Sequence, residues 1–180
     1  MSLASRLDPL LTQVPYPSRT RVREDLSRLL TEYRTLIPKV SEFVDNTGNV
    51  SKLVVLAGTV PIHYSGVQYN IPVEFFIPTL YPAEAPRVFV RPTSNMTVKP
   101  GHKHVTPNGA VSLPYLREWT SGSNLVGMIE TCSAVFSIEP PLFAKPAVTS
   151  VTPVSAARPY QSFFGSAGGG VGAGAGSGGG

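Results

Sequence analysis

One cysteine, three histidines and one loop hydroxyl are the first groups to ask for chemistry in this 180-residue sequence. Cys132 lies in an apolar helical stretch, Leu125 to Cys132, with no histidine nearby in sequence. A reactive thiolate needs such a partner, so Cys132 reads as a small packed hydrophobe. A single cysteine also cannot form an internal disulfide, which agrees with a reducing compartment. His63, His102 and His104 have no cysteine nearby and no carboxylate at ligand spacing, so tetrahedral zinc is not expected. The glycine-rich run from Gly165 to Gly180 lacks the Lys-Ser/Thr pair and the following helix of a phosphate loop. Ser112 sits in the run Asn108-Gly109-Ala110-Val111-Ser112-Leu113-Pro114-Tyr115-Leu116-Arg117-Glu118-Trp119. An alkyl hydroxyl has no anion at neutral pH and attacks only beside a general base. No cofactor and no metal is expected.

Composition narrows the classes further. Hydrophobic content of 42 % supports a real core, and the length suits one domain of about 140–150 residues plus a tail. The sequence has no run of ~18 apolar residues, so no membrane insertion is expected. The start carries no apolar segment behind a basic one, so a secretory signal is not expected either. The net charge of +4 is dispersed: Arg19, Arg21, Arg23 and Arg28 interleave with Glu24, Asp25 and Glu32. That is a solvated helix face and not the basic, aromatic-lined stripe of a nucleic-acid binder.

The elements follow from periodicity. Val22, Leu26, Leu29, Leu30, Tyr33 and Ile37 form one apolar stripe, predicting a helix over 20–37 with Thr20 as N-cap and Pro38 as terminator. The segment 1–19, with Pro9, Pro15 and Pro17, reads as an irregular lead-in. From 39 to 100 the period is two, predicting strands at 39–44, 53–60, 69–77 and 87–91 in an antiparallel meander. A proline-rich irregular segment spans 92–114. Ser123 or Asn124 then caps a helix that runs to about residue 137 and is stopped by Pro140-Pro141. This is an α+β arrangement: N-terminal helix, four-stranded antiparallel meander and C-terminal helix. The last 20 residues hold 10 of the 17 glycines, and 147–180 reads as a disordered tail or linker.

In the strand 69–77, Phe76 falls on the face that carries Glu74; in the next, Phe89 falls between Arg87 and Arg91. Two rings on polar faces cost of order 1.5–3 kcal/mol each if left wet. They read either as an exposed apolar patch that binds protein or as rings packed on each other or under a loop.

The Ser112 run resembles the active-site segment of ubiquitin-conjugating enzymes, in which Gly-x-hydrophobic-Cys-Leu is followed by Trp. Tyr81-Pro82-x-x-x-Pro86 resembles a corner general to that fold. Closer matches are Gly58-Thr59-Val60-Pro61, Tyr69-Asn70-Ile71-Pro72, Pro92-Thr93-Ser94-Asn95-Met96-Thr97, Leu113-Pro114-Tyr115-Leu116-x-Glu118-Trp119 and Glu139-Pro140-Pro141-x-Phe143. Together they resemble the ubiquitin E2-variant (UEV) domain of the ESCRT-I tumour susceptibility / vacuolar sorting protein family. The resemblance covers about residues 20–146 and implies a ubiquitin-conjugating-enzyme-like fold.

The same resemblance puts Ser112 at the nucleophile position. It also puts His104-Val105-Thr106 where conjugating enzymes carry a His-Pro-Asn triplet. Both replacements imply a non-catalytic domain. The family binds ubiquitin and Pro-Thr/Ser-Ala-Pro adaptor motifs and sorts ubiquitinated cargo into multivesicular bodies. That implies a cytoplasmic protein recruited to late endosomal membranes, with other ESCRT-I subunits as partners if the full-length chain continues. By resemblance the ubiquitin contacts are Val44, Asn46, Thr47, Phe76 and Phe89. The peptide contacts are Thr59, Ile62, Tyr64, Tyr69, Asn70, Ile71, Pro72, Thr93, Met96, Pro140 and Phe143. Tyrosines, methionine and prolines without charge suit a pre-ordered proline-bearing peptide, although Tyr69, Ile71 and Met96 could equally be core. The alternatives are an inactive partner that positions acceptor ubiquitin for a conjugating enzyme, or a peptide-binding scaffold with no ubiquitin role.

Overall fold

The computed structural model describes residues 3–146, and the expected tail at 147–180 lies outside them. Chain order is α1 (Leu3–Thr12), α2 (Arg19–Glu32), β1 (Ile37–Val44), β2 (Val50–Tyr64), β3 (Val67–Ile77), β4 (Arg87–Val90), β5 (Met96–Val98), α3 (Pro114–Arg117), α4 (Leu125–Ile138) and β6 (Leu142–Ala144). The expected meander is present as one antiparallel sheet in the order β1-β2-β3-β4. Alternation sorts its side chains: Val54, Leu56, Val60, Ile62, Ile71, Val73, Phe75, Ile77, Val88 and Val90 face the helices and join the main core. α2 contributes Val22, Leu26, Leu29 and Leu30, and α4 contributes Met128, Ile129, Cys132 and Phe136.

Three expectations are corrected. The lead-in at 1–19 is not irregular throughout, because α1 occupies Leu3–Thr12 despite Pro9. One missing ladder hydrogen bond is offset by burial of Leu7 and Leu11, followed by Val14 and Tyr16. Tyr16 then fastens the segment to the sheet, accepting from Val54 N–H at 2.9 Å and donating to Ile77 O at 2.9 Å. α2 stops at Glu32, five residues before Ile37, and its N-cap position is Ser18 and not Thr20. A turn with Leu36 N–H donating to Tyr33 O redirects the chain, so Ile37 and Pro38 open β1, paired with Ala57 and Leu56. The segment 92–114 is also not wholly irregular: β5 pairs antiparallel with β6 as a separate two-stranded ribbon.

The helix from Leu125 starts as the sequence suggests, with Asn124 Oδ1 accepting from Gly127 N–H at 2.9 Å. Asp25 is the buried carboxylate among the described residues. It accepts from Tyr81 OH at 2.5 Å and from Arg21 Nε at 2.7 Å. Arg21 reaches on to the carbonyls of Ser121 and Ser123, while Trp119 Nε1 donates to Pro82 O. The Tyr81-Pro82 corner, a cis peptide, is thereby tied to α2 and to the approach of α4. Burial first, and then the bond to Asp25, push the Tyr81 hydroxyl pKa well above its ordinary value. Tyr81→Phe removes one partner of a buried charge and is expected to cost about 2 kcal/mol. The check is the urea unfolding midpoint, and an unchanged midpoint contradicts the assignment.

Candidate functional site

Two arms of structure enclose a groove of about 570 Å³. One arm is the far end of the β2–β3 hairpin, where Ile62, His63 and Tyr64 pair with Tyr69, Gln68 and Val67. Its two-residue turn has Ser65 at φ 50° and Gly66 at φ 77°, the positive-φ pair that a tight hairpin of this twist requires. The other arm is the β5–β6 ribbon with Pro140 before it. Ile62 and Ile71 are buried and form the floor, whereas Tyr64, Tyr69 and Phe143 are 42 %, 47 % and 45 % exposed and form the walls with Asn70 and Met96. Among the described residues, no charged side chain lines this groove.

α4 sets the distance between the arms. Ser133 Oγ donates to Pro61 O at 2.7 Å and His63 N–H donates to Ser137 Oγ at 3.0 Å, which pins the β2 arm to the helix. The chain leaving the same helix becomes the opposite wall. Lys99 N–H donates to Pro141 O at 2.8 Å, and Lys145 N–H donates to Asn95 O at 2.7 Å. His102, its side chain fully buried, donates from Nε2 to Glu139 O at 2.9 Å and accepts at Nδ1 from His104 N–H at 3.0 Å. The Glu139 carboxylate binds Lys99 Nζ, and that bond holds it below the ordinary carboxylate range.

Of the eleven expected peptide contacts, the structure brings eight together here: Ile62, Tyr64, Tyr69, Asn70, Ile71, Met96, Pro140 and Phe143. Thr59 and Pro72 face each other across β2 and β3, half-buried, and do not line the groove. Thr93 sits in the turn before β5, where its carbonyl accepts from Met96 N–H at 2.9 Å, so it places Met96 without lining the groove itself. Gln68, Leu142 and Ala144 complete the lining and were missed. The alternation in Leu142-Phe143-Ala144 was the available signal.

On the sheet face away from the helices, Leu53, Val55 and Phe76 form a second small core with Phe43 and Phe89 packed over it. Of the two readings of these rings, the packed one holds for Phe76: it is 6 % exposed, because Leu53 and Val55 supply apolar neighbours on that face. Its ring meets Phe89 edge-on with centroids 5.7 Å apart and Phe43 at 5.0 Å. Phe89 is half-buried and remains the reachable ring, with the Arg91 guanidinium 4.9 Å from its centroid. Burial pushes Glu74 up, but hydrogen bonds from Arg91 and Lys39 overcome it and hold the carboxyl below its ordinary range.

Val44, 59 % exposed, ends β1 at the edge of this face, and Asn46 and Thr47 lie exposed in the following turn. That turn is built on Asp45. One of its carboxylate oxygens accepts from Thr47 N–H at 2.8 Å, Thr47 Oγ1 at 2.6 Å and Asn49 N–H at 3.0 Å. The turn and the Ser112 loop border a common groove of about 680 Å³ that also includes Phe89, Arg87 and Arg117. Sequence reading did not foresee this meeting, because the two segments are more than sixty residues apart.

The Ser112 hydroxyl is exposed but is not set up to attack. Its loop is held by backbone bonds, with Ser112 N–H donating to His104 O at 2.8 Å. His104 directs Nδ1–H at the Ser112 carbonyl, 3.1 Å away, and so is engaged with backbone instead of serving as a base. Gly109, at φ +87°, brings this loop against β4 so closely that an added Cβ would lie 2.4 Å from Val90 O. Burial pushes the Cys132 thiol up to about 12, far from a nucleophile. Among the described residues, no group of three His, Cys, Asp or Glu is placed to hold a metal, and no helix is long and apolar enough to cross a membrane.

A model of the UEV domain matches residues 10–144. Protein ELC of Arabidopsis thaliana is 41 % identical over 137 residues, 74 % of this chain and 34 % of its own length. Tumor susceptibility gene 101 protein of Homo sapiens is 40 % identical over 153 residues, 84 % of this chain and 38 % of its own. The chain thus spans little more than a third of the curated relatives it matches. The yeast Vps23 UEV domain solved with a Vps27 PSDP peptide aligns at TM-score 0.61 and 21 % identity, covering 74 % of this chain and 94 % of that one. The Vps23 UEV solved with ubiquitin aligns at 0.63 and 22 %, covering 78 % and 99 %. These two establish likeness of fold.

The Asp45 turn has a pH signature. Hydrogen bonds from Thr47, and then from Asn49, lower its carboxyl to about 2, below the ordinary ~3.9. A depressed folded value means these bonds contribute above the unfolded value and are lost as pH falls through the folded one. The amide resonances of Thr47 and Asn49 are expected to hold from pH 7 to about 4 and to titrate near 2. A midpoint near 4 in an NMR titration contradicts this picture.

Proposed function

Because the chain belongs to the UEV domain family, we propose that it is the non-catalytic ligand-binding part of an ESCRT-I subunit. It binds ubiquitin on one surface and Pro-Thr/Ser-Ala-Pro peptides on another, and so gathers ubiquitinated cargo for sorting into multivesicular bodies. The protein works in the cytoplasm and is recruited to late endosomal membranes by its ligands.

The observation that carries the reading is the uncharged groove with Tyr64, Tyr69, Asn70, Met96, Pro140 and Phe143 around a buried aliphatic floor. A proline-bearing peptide is already extended, so binding it sacrifices little chain entropy. Aromatic walls grip its rings, and the amide of Asn70 with the tyrosine hydroxyls fixes its register. The likeness to a UEV domain solved with a PSDP peptide supports the same use.

Ubiquitin docks where Phe89, Val44 and the Asn46–Thr47 turn make one surface, with Phe76 beneath holding Phe89 in place. The neighbour solved with ubiquitin supports a ubiquitin ligand. Each affinity falls in the micromolar to sub-millimolar range, because small apolar contacts are offset by the cost of association. Selectivity for cargo then comes from engaging both ligands together.

The chemistry of conjugation is absent for two independent reasons. Ser112 offers no thiolate, and no amide stands in the His104-Val105-Thr106 stretch to steady an oxyanion. Incubation with activating enzyme, ubiquitin and ATP is expected to leave the protein unmodified. A base-labile, hydroxylamine-resistant adduct on Ser112 contradicts the non-catalytic reading.

Two substitutions separate the ligand surfaces. Tyr64→Ala is expected to weaken a fluorescent Pro-Thr-Ala-Pro peptide at least about tenfold by polarisation while leaving ubiquitin affinity unchanged. Phe89→Ala is expected to do the reverse in an NMR titration with ubiquitin. Equal peptide affinity in the parent and Tyr64→Ala rejects the groove, and ubiquitin-induced shifts that avoid Phe89 and Val44 reject the sheet face.

A further inference from the structure

The peptide groove cannot read ligand charge within its own walls, since none of its lining side chains is charged. Immediately beyond Met96 the chemistry changes. A neighbouring cavity of about 450 Å³ shares Met96 with the groove and is bordered by Thr97, Lys99, Gly101, Pro107 and Lys145. The geometry points to a cationic subsite that takes acidic residues flanking the proline motif, so that the preferred ligands are proline-motif peptides with Glu or Asp on one side. This proposal rests on the reading of the groove as a peptide site.

Four facts carry it. Residues 85–117 include Arg87, Arg91, Lys99, Lys103 and Arg117 and not one Asp or Glu. Glu139 feels both Lys99 and Lys103, and Lys99 already occupies its carboxylate. Lys145 Nζ, in contrast, bonds the Ser94 carbonyl at 3.0 Å and has no carboxylate partner among the described residues. Lys99 Nζ also sits 5.9 Å from the ring centroid of Phe143, so the cationic cavity adjoins the groove wall.

Reach is not a problem. A polyproline-type chain advances ~3.1 Å per residue, so two or three residues past the motif enter the second cavity. Exposed charge pairs are individually weak and screened by salt. The subsite therefore tunes selection among proline-motif ligands and does not create binding alone.

The test uses three fluorescent peptides with the same Pro-Thr-Ala-Pro core: one with Gln-Gln on both sides, one with Glu-Glu before the core and one with Glu-Glu after it. One acidic peptide is expected to bind about three- to tenfold tighter than the neutral peptide at low salt, with the gain shrinking to under about twofold at 0.5 M salt. Lys145→Glu, and separately Lys103→Glu, should diminish that gain and leave neutral-peptide affinity within about twofold. If both acidic peptides bind no better than the neutral one, the subsite is wrong while the groove reading stands. A gain that survives both charge reversals also overturns the subsite. If the neutral peptide fails to bind the unaltered protein, the groove reading itself falls and takes the subsite with it.

Discussion

A single buried carboxylate holds the two halves of this domain in register. Asp25 lies inside α2, where its charge is tolerable only because Tyr81 and Arg21 both donate to it. Tyr81 belongs to the corner that follows the sheet, and Arg21 extends to the carbonyls of Ser121 and Ser123 just before α4. Helix, sheet exit and second helix therefore meet at one set of directional bonds. Apolar packing alone tolerates sliding, but hydrogen bonds to a desolvated charge do not.

That register matters because α4 governs the groove. Its serines hold the β2 arm through Pro61 and His63, and its continuation past Glu139 becomes the facing wall. The width of the groove is consequently set by one rigid helix and not by two independent loops. The sheet face around Phe89 uses different supports. Phe89 rests on Phe76, which rests on Leu53 and Val55, and the neighbouring turn is folded around Asp45. Where conjugation would take place, the loop is retained and even braced by Gly109 against β4, but its hydroxyl has no base.

Legibility followed the range of the interaction. The meander was readable because Leu53 to Val60 is a largely apolar run and Tyr69 to Ile77 alternates between turn signals, and the capping of α4 because Asn124 acts within three residues. Helix α1 was missed because Pro9 argues against a helix locally, while the burial of Leu7 and Leu11 that supports it depends on distant partners. The end of α2 was misplaced for the same reason: Tyr33 and Ile37 continue the helical stripe, yet Ile37 is needed opposite Ala57. Strand β5 is three residues long between prolines, too short for a periodic signal, and exists because Leu142 to Ala144 come alongside it.

By itself the sequence determined the fold class, the family resemblance and the missing nucleophile, since each depends on residue identity or short-range pattern. It also named most of the groove: Tyr64, Tyr69, Asn70, Met96, Pro140 and Phe143 are all there. Only the tertiary structure decided that Thr59, Pro72 and Thr93 stand outside the groove lining, that Phe76 is buried beneath Phe89, and that the Asn46 turn shares a groove with Ser112. Periodicity tells which side of a strand a residue occupies. Whether that side meets water, another ring or a loop from sixty residues away is fixed only when the chain closes on itself.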